Sequence, residues 1–80
     1  MFYAYIIKSS VDGRLYKGVT KDISRRLDEH NSGKTKSTKP YKPWSLVYFE
    51  EFDTFAAARE REKYFKSGFG REDFKKLLDP

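Results

Sequence analysis

The sequence contains no cysteine, a single histidine, tryptophan and methionine, and no long run of apolar residues. The absence of cysteine excludes disulfide bonds and thiolate metal sites, and it suits a reducing compartment. The N-terminal segment MFYAYIIKSSVDG has no basic region ahead of its apolar residues, which are too few to span a bilayer. We therefore expect a soluble, cytoplasmic protein with no membrane partner.

Basic residues outnumber acidic ones, with 17 Lys and Arg against 12 Asp and Glu and a formal net charge of +5. This balance favours polyanionic partners such as nucleic acid, although many small soluble proteins are equally basic. Because the composition does not change along the 80 residues, we expect residues 1–80 to form a single domain. So short a chain needs a compact core, in which a few large aromatic rings fill most of the space.

The first twenty residues have the pattern of a β-hairpin. Residues 2–8 (FYAYIIK) and 14–20 (RLYKGVT) are rich in aromatic and β-branched residues, and they flank Asp12-Gly13, a strong turn signal. If the loop has an even number of residues, odd positions of the first strand share a face with even positions of the second. The residues on that shared face would be Tyr3, Tyr5, Ile7, Tyr16, Gly18 and Thr20.

A helix and an irregular loop are predicted after the hairpin. Asp22 is a plausible N-cap, and Asn31-Ser32-Gly33 is a stop signal, which leaves a helix of about ten residues. Residues 34–43 (KTKSTKPYKP) predict no regular structure, because two prolines interrupt the segment and its lysines keep it in water. The four lysines of this segment are Lys34, Lys36, Lys39 and Lys42.

The remaining chain predicts one strand and two helices. Residues 44–52 (WSLVYFEEF) form the strand, and Thr54 caps a helix over 55–66 that Gly68 ends. A short third helix follows Gly70. The predicted fold is therefore α+β, with the order ββαβαα and a three-stranded, mainly antiparallel sheet flanked by helices.

Two polar residues fall on the apolar side of the first predicted helix. At 100° per residue, Arg26 and His30 lie within about 60° of Ile23, on the side that should face the sheet. The residues that point elsewhere are Ser24, Arg25, Asp28 and Glu29. One interpretation is that the Arg26 stem packs at an edge while its head reaches water, and that His30 is a hydrogen-bonded histidine near the helix C-terminus.

A carboxylate lies on the apolar side of the second predicted helix. Glu62 falls on the same side as Ala58 and Phe65, whereas Glu60 points to solvent, where it can pair with a basic residue. A carboxylate facing the core is costly unless it is paired, hydrogen-bonded or bound to a cation. Glu62 could therefore form a buried ion pair with Arg26, or bind a metal beside an arginine that binds phosphate.

Together with tyrosines of the sheet, these residues suggest phosphodiester chemistry. Mg²⁺ prefers oxygen ligands, and one carboxylate with waters and a substrate phosphate is sufficient to hold it. The planar guanidinium group of arginine matches phosphate oxygens and offsets charge that develops in the transition state. A tyrosine hydroxyl could orient or deprotonate the attacking water.

Over almost the whole chain, these residues resemble the GIY-YIG endonuclease domain. In that family two strands carry a Gly-Ile-Tyr-like and a Tyr-Ile-Gly-like tripeptide, and YAY (with Tyr5) and YKG (with Tyr16) stand in those places here. The following helix of the family carries an arginine and often a histidine one turn later, which correspond to Arg26 and His30. The family's metal-binding glutamate corresponds to Glu62, in the run REKYFKSGFGR.

The resemblance implies a ββαβαα nuclease that hydrolyses DNA, including branched or damaged DNA in repair or recombination, with one Mg²⁺ or Mn²⁺ ion. Glu62 would hold the metal, Arg26 would bind the scissile phosphate, Tyr5 or Tyr16 would position the water, and His30 would assist. The lysines expected to contact the DNA backbone are Lys17, Lys21, Lys34, Lys36, Lys39 and Lys42.

Two departures from the family pattern stand out. Lys17 replaces the middle isoleucine of the second tripeptide, which suggests that the face opposite Tyr16 is partly exposed or lies at an edge. The family often has an asparagine late in the domain, whereas the only asparagine here is Asn31. Two alternative functions are a nucleic-acid-binding module that has lost turnover and a protein-interaction domain with an aromatic surface.

Overall fold

The computed structural model describes residues 1–68, 70, 72 and 76. Its strands and helices are β1 (Phe2–Ser9), β2 (Leu15–Thr20), α1 (Ile23–Asn31), a 3₁₀ turn (Lys39–Tyr41), β3 (Trp44–Phe52) and α2 (Phe55–Lys66). The three strands form one antiparallel sheet in the order β2-β1-β3, which confirms the predicted α+β fold. The third helix predicted after Gly70 falls largely outside the described residues.

The hairpin has the predicted register. Tyr5 pairs with Gly18 and Ile7 pairs with Tyr16, so the loop contains an even number of residues. Gly13 has a φ of +78°, a backbone conformation that glycine adopts without steric cost. Tyr5 and Tyr16 consequently lie on the same face of the sheet.

The two helices pack on opposite faces of the sheet. Tyr5 and Ile7, on one face of β1, belong to a cluster that includes Leu27 of α1. Ala4 and Ile6, on the other face, are buried with Phe65 of α2. Since side chains alternate along a strand, α1 and α2 enclose the central strand β1 between them.

Both helices begin where the capping residues predict. The Asp22 carboxylate accepts a hydrogen bond from the Arg25 N–H at 3.1 Å, and the Thr54 hydroxyl accepts one from the Ala57 N–H at 3.2 Å. Each bond satisfies an N–H group that has no partner within the first helical turn. These caps set the first residue of each helix, so Arg26 lies in the first turn of α1 and Glu62 lies in the second turn of α2.

The lysine-rich segment 34–43 is more ordered than predicted. Residues 39–41 form a 3₁₀ turn, so the expectation of no regular structure is wrong there; Pro40 is tolerated because it lies in the first positions, where its missing N–H is not needed. The Trp44 indole N–H donates to the Thr38 carbonyl at 2.9 Å, and the Thr38 side chain is buried. The segment is thus fastened to the start of β3.

Asn31 has a structural role at the end of α1. Its side-chain amide donates to the Trp44 carbonyl at 3.0 Å, and its side-chain oxygen accepts from the Trp44 N–H at 2.6 Å. These two bonds tie the last residue of α1 to the first residue of β3. Both polar ends of the Asn31 side chain are therefore engaged by the backbone of Trp44.

Candidate active site

Arg26 and His30 both point from α1 toward the sheet, as predicted. The Arg26 side chain is 31% exposed, whereas that of its neighbour Arg25 is 78% exposed, and His30 is completely buried. Arg26 Nη1 lies 3.1 Å from Glu29 Oε1. The expectation that Glu29 points elsewhere is wrong, because its long side chain reaches back one turn to Arg26.

His30 links the sheet to the lysine-rich segment. Its Nε2 lies 3.0 Å from the Tyr5 hydroxyl, and its Nδ1 lies 2.8 Å from the Thr38 hydroxyl. All three side chains are buried. A buried polar group is stable only when it is hydrogen-bonded, and each of these groups supplies the partner that another needs.

Burial sets the protonation states of this cluster. Loss of hydration raises the pKa of Tyr5 to about 12, although the neighbouring Arg26 acts in the opposite direction. Burial lowers the pKa of His30, and the positive charge of Arg26 lowers it further. At neutral pH, Tyr5 is therefore a phenol and His30 is a neutral imidazole.

Gly18 makes room for the Tyr5 ring. A Cβ atom at Gly18 would lie 2.6 Å from the Tyr5 hydroxyl oxygen and 2.7 Å from the ring carbon that carries it. Real side chains do not approach so closely, and the buried Tyr5 ring has little space in which to move. The glycine of the YKG tripeptide thus allows the phenol to lie across β2.

Tyr16 completes the aromatic part of the cluster at the surface. Its ring meets His30 edge-to-face at 4.9 Å between centroids, and it lies 6.4 Å from the ring of Tyr5. Unlike Tyr5, Tyr16 is only half-buried. Of the two tyrosines, Tyr16 is the one with more access to solvent.

Glu62 lies on α2, which packs on the face of the sheet opposite to Arg26 and His30. Its side chain is 17% exposed, while that of Glu60 is 77% exposed, as the helical pattern predicts. The Lys66 ammonium lies 2.6 Å from Glu62 Oε1, so Glu62 pairs with the next turn of its own helix rather than with Arg26. The Glu62 charge contributes to the raised pKa of Tyr5, but less than burial and Tyr16 do.

Comparison with known proteins identifies the family. The family model described as the GIY-YIG catalytic domain matches residues 1–76. The chain belongs to the GIY-YIG family. GIY-YIG domains are generally endonucleases, and the match extends over almost the whole chain.

Similar proteins within the GIY-YIG family are small, like this chain. A UPF0213 protein of Staphylococcus saprophyticus is 46% identical over 77 residues, which cover 95% of this chain and 92% of the relative. A UPF0213 protein of Haloquadratum walsbyi is 45% identical over 78 residues, covering 96% and 85%. The solution NMR structure of a UPF0213 protein from Bacillus halodurans superimposes with a TM-score of 0.58 at 34% identity, covering 100% of this chain and 89% of that one.

The oxygen donors of this GIY-YIG chain suit a lightly coordinated metal. Among the described residues, no group of three or more His, Asp or Glu side chains converges as a cage would require. The carboxylate of Glu29 is paired with Arg26, and Glu62 is the carboxylate that the resemblance assigns to a metal. A single carboxylate fits Mg²⁺ or Mn²⁺, which can keep several waters and share phosphate oxygens, and it does not fit a metal held entirely by protein ligands.

The lysines predicted to contact DNA occupy different environments. The four lysines of the 34–43 segment are exposed, as expected, and they flank the buried Thr38. Lys21 is exposed beyond the end of β2, with its ammonium group 5.2 Å from the Phe2 ring centre. Lys17 is half-buried on the face that α2 covers, and β2 is an edge strand, in agreement with the expectation drawn from its place in the motif.

Sequence reasoning missed Thr38 and Glu29 as parts of this cluster. Thr38 stands in a segment dominated by lysine and proline, where a threonine carries no periodic signal. Glu29 stands three residues after Arg26, and that spacing alone could have suggested the ion pair.

No helix in the described part of the chain is long and apolar enough to cross a membrane.

Proposed function

We propose that this chain is a divalent-metal-dependent endonuclease that hydrolyses phosphodiester bonds in DNA. The observation that carries the proposal is the convergence of Tyr5, Tyr16, Arg26 and His30 on one face of the sheet. In this proposal the phosphate-binding cation and the proton acceptor come from α1, the two phenols from β1 and β2, and the carboxylate from α2. The net charge of +5 suits a polyanionic substrate.

In this proposal Arg26 binds the scissile phosphate. Its guanidinium is anchored by Glu29 on one side, which leaves further N–H donors for phosphate oxygens. The Arg26–Glu29 pair also holds the arginine in one orientation, so less conformational freedom is lost when substrate binds. The guanidinium would offset negative charge that develops on the phosphate during hydrolysis.

The two tyrosines have different roles. Tyr16, the more exposed one, orients the attacking water, because a buried phenol has less access to solvent. Tyr5 lies 3.0 Å from His30 Nε2, so a proton that arrives at the Tyr5 oxygen can be passed to that nitrogen. Hydrolysis then adds the oxygen of water to phosphorus while the bond to the leaving sugar oxygen breaks. One proton of that water passes to the Tyr5 oxygen as the Tyr5 proton passes to His30 Nε2, and the leaving oxygen takes a proton from solvent.

Glu62 would hold Mg²⁺ or Mn²⁺ through its carboxylate, with waters and a phosphate oxygen in the remaining positions. When bound, the metal supplies charge stabilisation to the phosphate and the leaving oxygen. Lys66 neutralises the Glu62 carboxylate in the structure, so binding a metal there requires that this exposed ammonium swing away.

The test compares Glu62→Gln with Glu60→Gln, two substitutions two residues apart on the same helix. We expect Glu62→Gln to lower metal-dependent cleavage of linear, flap, fork and junction DNA by about 100-fold or more, because the amide lacks the charge that binds the metal. The matched variant Glu60→Gln, at an exposed position, should cleave like the wild type. Equal activity, or equal inactivity, of wild type and Glu62→Gln contradicts the proposal.

A second candidate is a nucleic-acid-binding module without turnover. The contact of 2.6 Å between Lys66 and Glu62 favours it, because this pair satisfies the carboxylate without a metal. Such a module should bind DNA with an affinity that falls steeply with salt, show no metal-dependent cleavage, and change little on Glu62→Gln. Measuring binding and cleavage on the same DNA substrates separates the two functions.

A further inference from the structure

Thr38 is the least expected member of the candidate site. It lies outside the helices and strands, yet only 1% of its surface is exposed, and its hydroxyl lies 2.8 Å from His30 Nδ1. Its backbone carbonyl accepts a hydrogen bond from the Trp44 indole at 2.9 Å. Thr38 is therefore held from both its side chain and its backbone.

The contacts of Thr38 favour one direction for its hydrogen bonds. Its hydroxyl donates to the Thr35 carbonyl at 3.3 Å, and a hydroxyl has only one hydrogen to give. When the hydroxyl hydrogen goes to Thr35, the hydroxyl acts as an acceptor toward His30, and Nδ1 carries the hydrogen. In a neutral imidazole the other nitrogen, Nε2, is then an acceptor.

The surroundings of Tyr5 favour the same direction. Arg26, which interacts with the Tyr5 oxygen, can only donate hydrogen bonds. The Tyr5 hydroxyl hydrogen is thus best placed on the side of His30 Nε2, 3.0 Å away. Followed from the sheet, each group donates to the next: Tyr5 to His30, His30 to Thr38, and Thr38 to the Thr35 carbonyl.

We propose that Thr38 is a positioning residue, whose hydroxyl fixes the Nδ1–H tautomer of His30 and so leaves Nε2 to accept the Tyr5 hydroxyl. The effect of Thr38 on catalysis rests on the proposed nuclease function. Its effect on the His30 tautomer is independent of that function. If Nε2 carried the hydrogen instead, Tyr5 could not donate to it, and the imidazole could not receive a proton from the phenol. The hydroxyl of Thr38 thus determines whether a proton can pass from Tyr5 of the sheet to His30 of α1.

The first experiment reads the tautomer directly by ¹⁵N NMR of the single histidine. In the wild type we expect a protonated Nδ1 and an unprotonated Nε2. Thr38→Val keeps the shape of the side chain and removes the acceptor, so His30 should shift toward the Nε2–H form, while Thr38→Ser should retain the wild-type pattern. A wild-type spectrum with the hydrogen on Nε2, or a Thr38→Val spectrum unchanged from wild type, overturns the proposal.

The second experiment measures cleavage with the same variants. We expect Thr38→Val to lower kcat by about 10- to 100-fold with KM within about twofold, because the hydroxyl acts through His30 and not on substrate. Thr38→Ser should recover most of the activity, and Ser37→Ala, which removes an exposed hydroxyl next in sequence, should match wild type. Unchanged kcat in a folded Thr38→Val overturns the catalytic consequence.

The two experiments also separate this proposal from the proposed function. If the wild type binds DNA but cuts no substrate, the nuclease assignment fails, and the histidine spectrum still decides the role of Thr38. If Thr38→Val does not fold, the wild-type and Thr38→Ser spectra test the proposal, because hydrogen on His30 Nε2 in either of them overturns it.

Discussion

The Tyr5 side chain of β1 is enclosed by residues from two other elements, β2 and α1. Gly18 of β2 lies against the ring, while His30 of α1 meets the hydroxyl and Arg26 of the same helix acts on it electrostatically. The enclosure keeps the phenol protonated and in one orientation. Changes at Tyr5 or at its neighbours should therefore affect stability and activity together.

Substitution Gly18→Ala tests this enclosure. The added methyl group would lie 2.6 Å from the Tyr5 oxygen, so the ring must shift away from its position beside His30. We expect the free energy of unfolding to fall by about 1–3 kcal/mol, as overpacking of a core usually costs. Cleavage should fall as well, because the displaced phenol loses its hydrogen bond. Urea denaturation and the cleavage assay measure the two effects.

The control for this substitution is Gly68→Ala. A Cβ atom at Gly68 meets nothing within 4 Å, so the alanine should leave both stability and cleavage close to wild type. If Gly18→Ala has the same stability and cleavage rate as Gly68→Ala, then the Tyr5 ring can move away from the added methyl group at little cost, and the enclosure of Tyr5 is not as tight as the structure indicates.

At the residue scale, the sequence predicts side chains whose orientation follows from helical periodicity. Arg26 is distinguished from Arg25, and Glu62 from Glu60, because 100° per residue separates the buried side of a helix from the exposed side. Thr38 could not be predicted in this way. Its burial depends on Trp44, which reaches it only after the chain has folded back on α1.

At the element scale, the predicted boundaries of α1, α2 and β3 agree with the structure because they depend on local signals. Asp22 and Thr54 cap the helices through bonds that span three residues. One of the two alternatives for Glu62, a buried ion pair with Arg26, is not found, because Glu62 pairs with Lys66. Periodicity shows which side of a helix is apolar but not which face of the sheet it covers, and here the two helices cover opposite faces.

The lysine-rich segment permits a prediction about DNA binding. Its exposed lysines should bind DNA phosphates, and each phosphate that is neutralised releases counterions from the DNA. Replacing all four lysines of the segment by glutamine should weaken binding and make its dependence on log salt shallower by about 0.9 for each phosphate that is no longer neutralised. Fluorescence anisotropy at several salt concentrations gives this slope.

A matched substitution uses a lysine elsewhere on the surface. Lys8 is exposed on the β1 face opposite to Tyr5 and His30. Replacing Lys36 alone by glutamine should reduce the slope, whereas Lys8→Gln should leave it unchanged. Equal effects of the two substitutions would mean that net charge, and not the position of the segment, governs binding.

At the scale of the whole molecule, a single histidine makes the pH dependence of stability simple to interpret. His30 faces Tyr5 from β1, Tyr16 from β2, and Arg26 and Glu29 on its own helix. Its pKa is lowered from the ordinary value of 6.5, first by burial and then by Arg26, while Glu29 acts in the opposite direction. The unfolded chain therefore takes up a proton at a higher pH than the folded chain does.

The sign of the effect follows from this difference. Below pH 6.5 the unfolded state binds more protons than the folded state, so the free energy of unfolding should fall as the pH falls toward the folded-state pKa. Above 6.5 the contribution of His30 should be constant. Thermal unfolding between about pH 5.5 and 7.5 measures this slope, in a range above the titration of carboxylates.

The comparison variant is His30→Gln, which removes the only imidazole. It should be less stable at about pH 7.5, because it loses buried contacts, but its stability should change little between about pH 5.5 and 7. A variant that keeps the wild-type slope would show that some other group titrates in this range.

The position of β1 at the centre of the sheet also has a consequence for synthesis of the chain. β1 pairs with β2 through a short loop, but its pairing of Phe2 with Phe52 spans most of the sequence. Local pairs form before distant ones because less chain entropy is lost, so the hairpin can form while the rest is still being made. Until β3 emerges from the ribosome, one edge of the central strand has no partner, and during that interval the nascent chain is most exposed to aggregation.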